Sequence, residues 1–83
     1  MFTQEKLKRV LQSVGKATFK NCYNEFAENY MKEDKHKLEE AIMKEGLNRT
    51  GKKYEEGSVT TKVNAGCSIF SNGCQKEALK LCK

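Results

Sequence analysis

Apolar residues recur along this chain at the spacing of an α-helix, and no proline interrupts them. One apolar face near the start consists of Leu7, Val10, Leu11 and Val14. An aromatic face follows at the same kind of spacing, with Phe19, Tyr23, Phe26 and Tyr30. Because side chains three or four positions apart share one face of an α-helix, and because lysine, glutamate, leucine and alanine favour helix, the sequence predicts an all-α protein.

Local start and stop signals divide the chain into about four helices within one domain, residues 1–83. Asp34 and Ser58 are suited to cap the second and third helices, since short polar side chains accept hydrogen bonds from a first turn. Gly46 is suited to end the second helix. The prediction is a small bundle that ends in an αα-hairpin. Its four helices cover about residues 4–31, 34–45, 59–72 and 74–82, and a loop at 47–57 joins the second helix to the third.

The two apolar faces of the first predicted helix are out of phase with each other. Either Gly15 bends this helix, or the helix packs against neighbours on two sides. Both interpretations place it at the centre of the fold. Since a chain of 83 residues buries only a small core, self-association into a homo-oligomer is a further candidate.

The charge is unevenly distributed along the chain, which has a net charge of +5. Residues 1–20 carry a charge of +4, residues 21–46 carry −3 and residues 47–83 carry +4. This layout could attract an anionic partner at two places, or it could mediate self-association. Most of the basic residues are lysines, which more often keep a surface soluble than read bases or phosphates through a bidentate fork.

The first fourteen residues contain charges throughout and no apolar segment typical of a signal peptide. No run approaches the roughly 18 apolar residues of a membrane span. We therefore expect a cytoplasmic protein with no membrane partner.

Four cysteines, Cys22, Cys67, Cys74 and Cys82, are expected to be core thiols in such a compartment. Disulfides and a zinc site are the alternatives. Zinc sites usually pair ligands two to four residues apart, and no such pair is present here. We predict neither a metal nor another cofactor.

Residues 46–53 read Gly-Leu-Asn-Arg-Thr-Gly-Lys-Lys, which nearly matches a phosphate-binding P-loop. The motif needs serine or threonine at its last position to bind Mg²⁺, and Lys53 stands there instead. A P-loop also follows a strand and opens a helix, and no strand is predicted. A basic loop remains, in which Arg49, Lys52 and Lys53 could contact phosphate while Tyr54 stacks on a base.

The side chains that usually carry catalysis are sparse. His36 is the only histidine, and it lies in a charged cluster where a general base would be exposed and unsupported. The acidic pairs Glu39-Glu40 and Glu55-Glu56 are adjacent in sequence, so their side chains diverge on a helix. We predict no catalytic residue and expect that the protein is not an enzyme.

Near the end of the chain, Gly66 and Ala78 stand where two helices of a tight hairpin would approach each other, and Gly73 stands at the turn between them. Residues 58–82 thereby resemble a single tetratricopeptide-type hairpin. The segment lacks the tryptophan, leucine, tyrosine, phenylalanine and closing proline that are typical of that motif. Any tight αα-hairpin also needs a glycine turn and small contact residues. The resemblance implies a surface that binds peptides or protein helices.

These observations favour a small protein-binding module, an adaptor or a stoichiometric inhibitor or regulator of the kind found among phage and mobile-element accessory proteins. Its predicted binding residues are the hairpin surface and the aromatics of the first helix: Lys62, Ser68, Lys76, Tyr23 and Tyr30. The alternative is a basic nucleic-acid-binding accessory protein. Its predicted carriers are the basic residues of the first helix and of the loop, with one aromatic: Lys6, Lys8, Arg9, Lys16, Lys20, Arg49, Lys52, Lys53 and Tyr54.

Overall fold

The computed structural model describes residues 2–82, which form six α-helices and no strand. The helices are α1 (Gln4–Val14), α2 (Lys16–Asn21), α3 (Tyr23–Asn29), α4 (His36–Thr50), α5 (Glu56–Ser71) and α6 (Gln75–Leu81). The all-α prediction is confirmed. The described part of the chain has two helices more than predicted, because the first predicted helix is divided into three.

Two breaks divide the predicted helix 4–31 into α1, α2 and α3. Gly15 has a φ of 90°, a conformation that residues with a Cβ rarely adopt, and it ends α1 by donating to Leu11 O at 2.8 Å. Cys22, with φ −104° and ψ 17°, separates α2 from α3. The out-of-phase apolar faces are therefore explained by the bend at Gly15.

The predicted end of the second helix at Gly46 is wrong. Helix α4 continues to Thr50 and ends at Gly51, which takes the left-handed conformation with φ 76°. Gly46 is buried inside the helix because the ring of Tyr54 lies where its Cβ would be. The predicted loop 47–57 therefore shortens to the five residues between α4 and α5.

The third predicted helix begins earlier than Ser58. Helix α5 begins at Glu56, with Glu55 at the N-cap position, so Ser58 lies within the helix. After α5, Gly73 donates to Phe70 O at 3.1 Å and Cys74 to Ile69 O at 3.0 Å, which closes the turn before α6.

Helix α5 is at the centre of the fold together with the predicted first helix, whose parts α1, α2 and α3 contact α4, α5 and α6. Helix α5 itself contacts α1, α3, α4 and α6. Its Phe70 ring lies 5.1 Å from the Tyr23 ring and 5.4 Å from the Tyr30 ring, centroid to centroid. Within residues 2–82, fourteen apolar side chains form the core: Leu7, Leu11, Val14, Phe19, Cys22, Phe26, Leu38, Ile42, Val59, Val63, Ile69, Phe70, Cys74 and Ala78.

At Gly66, α5 packs directly against a side chain of α3. The ring of Phe26 occupies the space that a Cβ at Gly66 would need. The hairpin resemblance assigned this glycine to close approach between the last two helices. Its missing side chain instead accommodates an aromatic ring from α3.

Candidate functional site

A polar network around Glu45 joins α2, α4 and the segment before α5. The Glu45 carboxylate accepts hydrogen bonds from Thr18 Oγ1 at 2.8 Å, Asn21 Nδ2 at 3.1 Å and Arg49 Nε at 2.7 Å. Burial acts to raise the pKa of this carboxyl, but the hydrogen bonds from Arg49, Thr18 and Asn21 prevail and lower it. The hydrogen bond to Glu45 in turn raises the pKa of the Arg49 guanidinium.

Tyr54 belongs to the same network. Its hydroxyl lies 3.1 Å from Thr18 Oγ1 and accepts from Arg49 Nη2 at 2.6 Å, while its ring packs on Gly46. The ammonium of Lys62 stands 4.8 Å from the centre of that ring and donates to Val14 O at 2.8 Å. These contacts connect the end of α1 to α4 and α5.

The network changes the predicted roles of three residues. Tyr54 is half-buried with both ring and hydroxyl engaged, so it is less free to stack on a base than predicted. Arg49 is already held by Glu45 and Tyr54. Lys62, predicted on the open surface of α5, is half-buried and holds α1 in place. Lys52 and Lys53 are exposed, as the loop prediction requires.

The remaining predicted protein-binding residues lie on different parts of the surface. Tyr23 and Tyr30 are half-buried against Phe70, so they are less exposed than predicted. Ser68 is half-buried in a shallow groove between α1 and α5, together with Val10. Lys76 is exposed on α6. No single cavity brings the predicted set together within residues 2–82.

Part of the predicted basic set does converge on one feature. Lys8 and Lys16 line a groove of about 100 Å³ where the end of α6 meets α1 and α2. The other side chains that line it are Leu11, Gln12 and Leu81. Burial raises the pKa of the neighbouring Cys82 thiol, and the positive charges of Lys16 and Lys20 act against that rise. We call Lys8, Leu11, Gln12, Lys16 and Leu81 together the α1–α6 groove, and Lys20 and Cys82 are its neighbours.

The sequence explains why this groove is amphipathic. Lys8 and Gln12 are four residues apart on α1, and Lys16 and Lys20 are four apart on α2, so each pair stands on one helix face. Leu11 is almost fully buried at 1% exposure and forms the floor. The half-buried Leu81 closes the groove from the last turn of α6. Lysine ammonium groups therefore rim an aliphatic floor.

Lys6 and Arg9, the other predicted basic residues of α1, are also exposed. The Lys6 ammonium stands 5.2 Å from the centre of the Phe2 ring. Neither residue lines the α1–α6 groove.

A second, larger groove of about 810 Å³ runs between α4 and α5. Its charged and titratable lining carries both signs, with Glu39 and Glu56 beside Lys53 and His36. His36 pairs with Glu40 one turn further along α4 at 2.9 Å, and both side chains are exposed. This groove has no uniform charge that would select a partner.

The four cysteines are thiols in the structure. Cys22 is buried and donates to Ala41 O at 3.7 Å. Burial, and then the negative charges of Glu45 and Glu25, raise the pKa of the Cys22 thiol to about 12. Among residues 2–82, no group of three or more histidine, cysteine or acidic side chains is arranged to bind a metal ion.

In the part of the chain that the structure describes, no helix combines the length and the apolar character needed to cross a membrane. No protein-family model, curated protein or solved structure matches the chain. We therefore infer function from the molecule's own surfaces.

Proposed function

We propose that this chain is a small, non-enzymatic helical module that binds a protein partner stoichiometrically, as an adaptor or as an inhibitor or regulator. The observation that carries the proposal is the α1–α6 groove, where lysines surround an aliphatic floor. Protein interfaces combine an apolar centre with a polar rim. Stoichiometric contact needs such a surface and no reacting group.

The terminal helices extend this surface in our proposal. Helices α5 and α6 act as a terminal αα-hairpin that resembles a tetratricopeptide-type hairpin, a motif that binds peptides and protein helices. Ser68 and Lys76 are the predicted contact residues that remain accessible there. We further propose a cytoplasmic protein of phage or mobile-element type, which works on a host or element partner.

The test is co-purification of the tagged full-length chain from lysate of its source cells, with and without nuclease. Two charge-matched variants accompany the natural chain. The groove variant carries Lys8→Glu, Lys16→Glu and Lys20→Glu. The control variant carries Lys32→Glu, Lys37→Glu and Lys44→Glu, at lysines of the central part of the chain that are also exposed. Circular dichroism first establishes that both variants are folded.

A protein that co-purifies in one-to-one ratio after nuclease treatment, and that is retained by the control variant, supports the proposal. Capture of nucleic acid alone, or of no protein at all, contradicts it.

Nucleic-acid binding is the second candidate, and one observation favours it. Five basic side chains of α1 and α2 are all exposed: Lys6, Lys8, Arg9, Lys16 and Lys20. If the chain binds through phosphates, the logarithm of its affinity for a 20-nucleotide single-stranded DNA should fall linearly with the logarithm of the salt concentration. An affinity that is absent, or independent of salt, contradicts this candidate. The loop contributes less to this candidate than predicted, because Arg49 and Tyr54 are engaged within the fold.

A further inference from the structure

We infer that the α1–α6 groove binds an acidic protein segment that places one aliphatic side chain between its carboxylates. The inference rests on the proposed protein-binding function and names the chemistry of the partner. Three features support it: the size of the groove floor, the charge of its rim and the side chains at its end.

The floor accepts a single side chain. The groove encloses about 100 Å³ between Leu11 and Leu81, a space equal to only a few water molecules at about 30 Å³ each. Its apolar lining is aliphatic, with no aromatic ring. A leucine, isoleucine or methionine side chain matches both the size and the lining.

The charged side chains that line the groove, Lys8 and Lys16, are both positive, and Lys20 adds a third positive charge nearby. Within residues 2–82, the ammonium groups of Lys8, Lys16 and Lys20 make no salt bridge and donate no hydrogen bond to another side chain. All three lysines are exposed, so carboxylates of a partner can reach them. Complementary charges at the rim of an interface raise the association rate and select the partner.

The side chains at the end of the groove orient the partner. A neighbouring groove, which shares Leu81, is lined by Glu77 and Lys80 and so carries charges of both signs, whereas the charged lining of the α1–α6 groove is only positive. A partner carboxylate is repelled by Glu77 and attracted by Lys16 and Lys20. We therefore expect the partner's acidic residues to lie toward α2, on the side away from Glu77.

The floor also separates this partner from a nucleic acid. Non-specific binding to single strands combines phosphate contacts with stacking of bases on aromatic rings. The α1–α6 groove offers no ring, and the predicted stacking residue, Tyr54, is held in the polar network. A phosphate backbone would leave the aliphatic floor unused.

The test is selection of a library of random 12-residue peptides, displayed on phage, against the immobilised full-length chain. We expect the enriched peptides to carry aspartate or glutamate on both sides of one leucine, isoleucine or methionine. The selected peptide should bind the groove variant about tenfold more weakly or worse at low salt, since three attractions become repulsions. The control variant should bind it as the natural chain does.

Leu81→Ser provides a second readout that charge alone would not move. We expect this substitution to weaken binding of the selected peptide. It should have less effect on the binding of a peptide in which alanine replaces the aliphatic residue. Thermal unfolding of this variant establishes that it is folded at the temperature used.

The inference is overturned if no peptide is enriched, if the enriched peptides are not acidic, or if their affinity is the same for the natural chain and the groove variant. It is also overturned if the 20-nucleotide DNA binds the groove more tightly than the peptide. Sedimentation tests whether a second copy of the chain occupies the groove. Self-association of the natural chain that the groove variant abolishes would assign the groove to that second copy and overturn the inference.

The outcome separates this inference from the proposed function. A lysate partner that both charge variants retain leaves the protein-binding function standing and removes the groove from it. Selected acidic peptides without any lysate partner leave the groove chemistry standing and remove the proposed function.

Discussion

Gly46 lies within α4 beneath the ring of Tyr54, and a Cβ at this position would overlap the ring. Gly46→Ala should therefore destabilise the protein, by about 1–3 kcal/mol, because an added methyl group overpacks the site. Alanine gains roughly 0.5–1 kcal/mol of helix preference over glycine, which offsets part of that cost. Urea unfolding measures the difference.

Gly57→Ala is the matched control for Gly46→Ala. Gly57 also lies in a helix, α5, and nothing stands within 4 Å of an added Cβ. This variant should be neutral or slightly stabilised. Equal stability of the two alanine variants would contradict the packing of Tyr54 on Gly46.

The Glu45 carboxyl makes stability depend on pH. Its pKa is lowered from the ordinary value of 4.5, with burial opposed by hydrogen bonds from Arg49, Thr18 and Asn21. A lowered folded-state pKa stabilises the protein above the unfolded-state value, and this stability is lost as pH falls through the folded-state value. The free energy of unfolding should therefore fall between pH 6 and pH 3 more steeply for the natural chain than for Glu45→Gln.

Glu28→Gln is the control for the pH dependence, since Glu28 is an exposed carboxyl. This variant should show the same dependence of the free energy of unfolding on pH as the natural chain. If the difference in free energy of unfolding between Glu45→Gln and the natural chain stays constant across this pH range, the Glu45 charge does not carry the stabilisation.

The cysteines should differ in their reactivity toward iodoacetamide, because the thiolate is the nucleophile and burial disfavours it. Burial raises the pKa of Cys22 to about 12, and Cys22 and Cys74 are buried, whereas Cys67 and Cys82 are half-buried. Mass spectrometry of the native protein should find Cys67 and Cys82 labelled first, and all four labelled in urea. Early labelling of Cys22 would contradict its placement in the core.

The helices show which parts of the fold can be predicted from sequence. The helical spacing of apolar residues predicted the all-α class, and the change of phase at Gly15 was a sound signal of the break between α1 and α2. The end of α4 was missed because Gly46 and Gly51 are both plausible stop residues. In the structure the Tyr54 ring packs on Gly46 within α4, and no local sequence pattern contains this tertiary contact.

The candidate site could be predicted only in part for the same reason. The exposed lysines of α1 and α2 follow from their helical spacing. Their pairing with Leu81 does not, because it depends on how the turn after α5 directs α6 back onto α1 and α2. Lys62 shows the opposite error: a lysine predicted on an open surface lies in an internal contact.

Lys62 connects elements, since its ammonium donates to Val14 O at the end of α1 and stands over the Tyr54 ring beside α4. Lys62→Met should lower the free energy of unfolding by about 1–2 kcal/mol, because a hydrogen bond from a charged group and a cation–π contact are lost. Lys44→Met, at an exposed position of α4, should change it little. Equal effects of the two substitutions would contradict the connecting role.

On the scale of the whole molecule, the packing of the helices gathers charge that is dispersed in the sequence. Lysines of α1 and α2 meet the end of α6, and the Arg49 guanidinium is turned to an internal carboxylate. The result is one amphipathic groove with a positive rim, and we propose that it is the docking site for an acidic segment of a protein partner.

Photo-crosslinking in the source cells tests this central claim most directly. A photoreactive phenylalanine analogue replaces Gln12, an exposed residue that lines the groove, or Asn48, an exposed residue of α4, as the control. We predict that the Gln12 position crosslinks to one protein at a segment rich in aspartate and glutamate, and that the Asn48 position does not. Crosslinks from Gln12 to nucleic acid, or none beyond those of the control, would contradict the account.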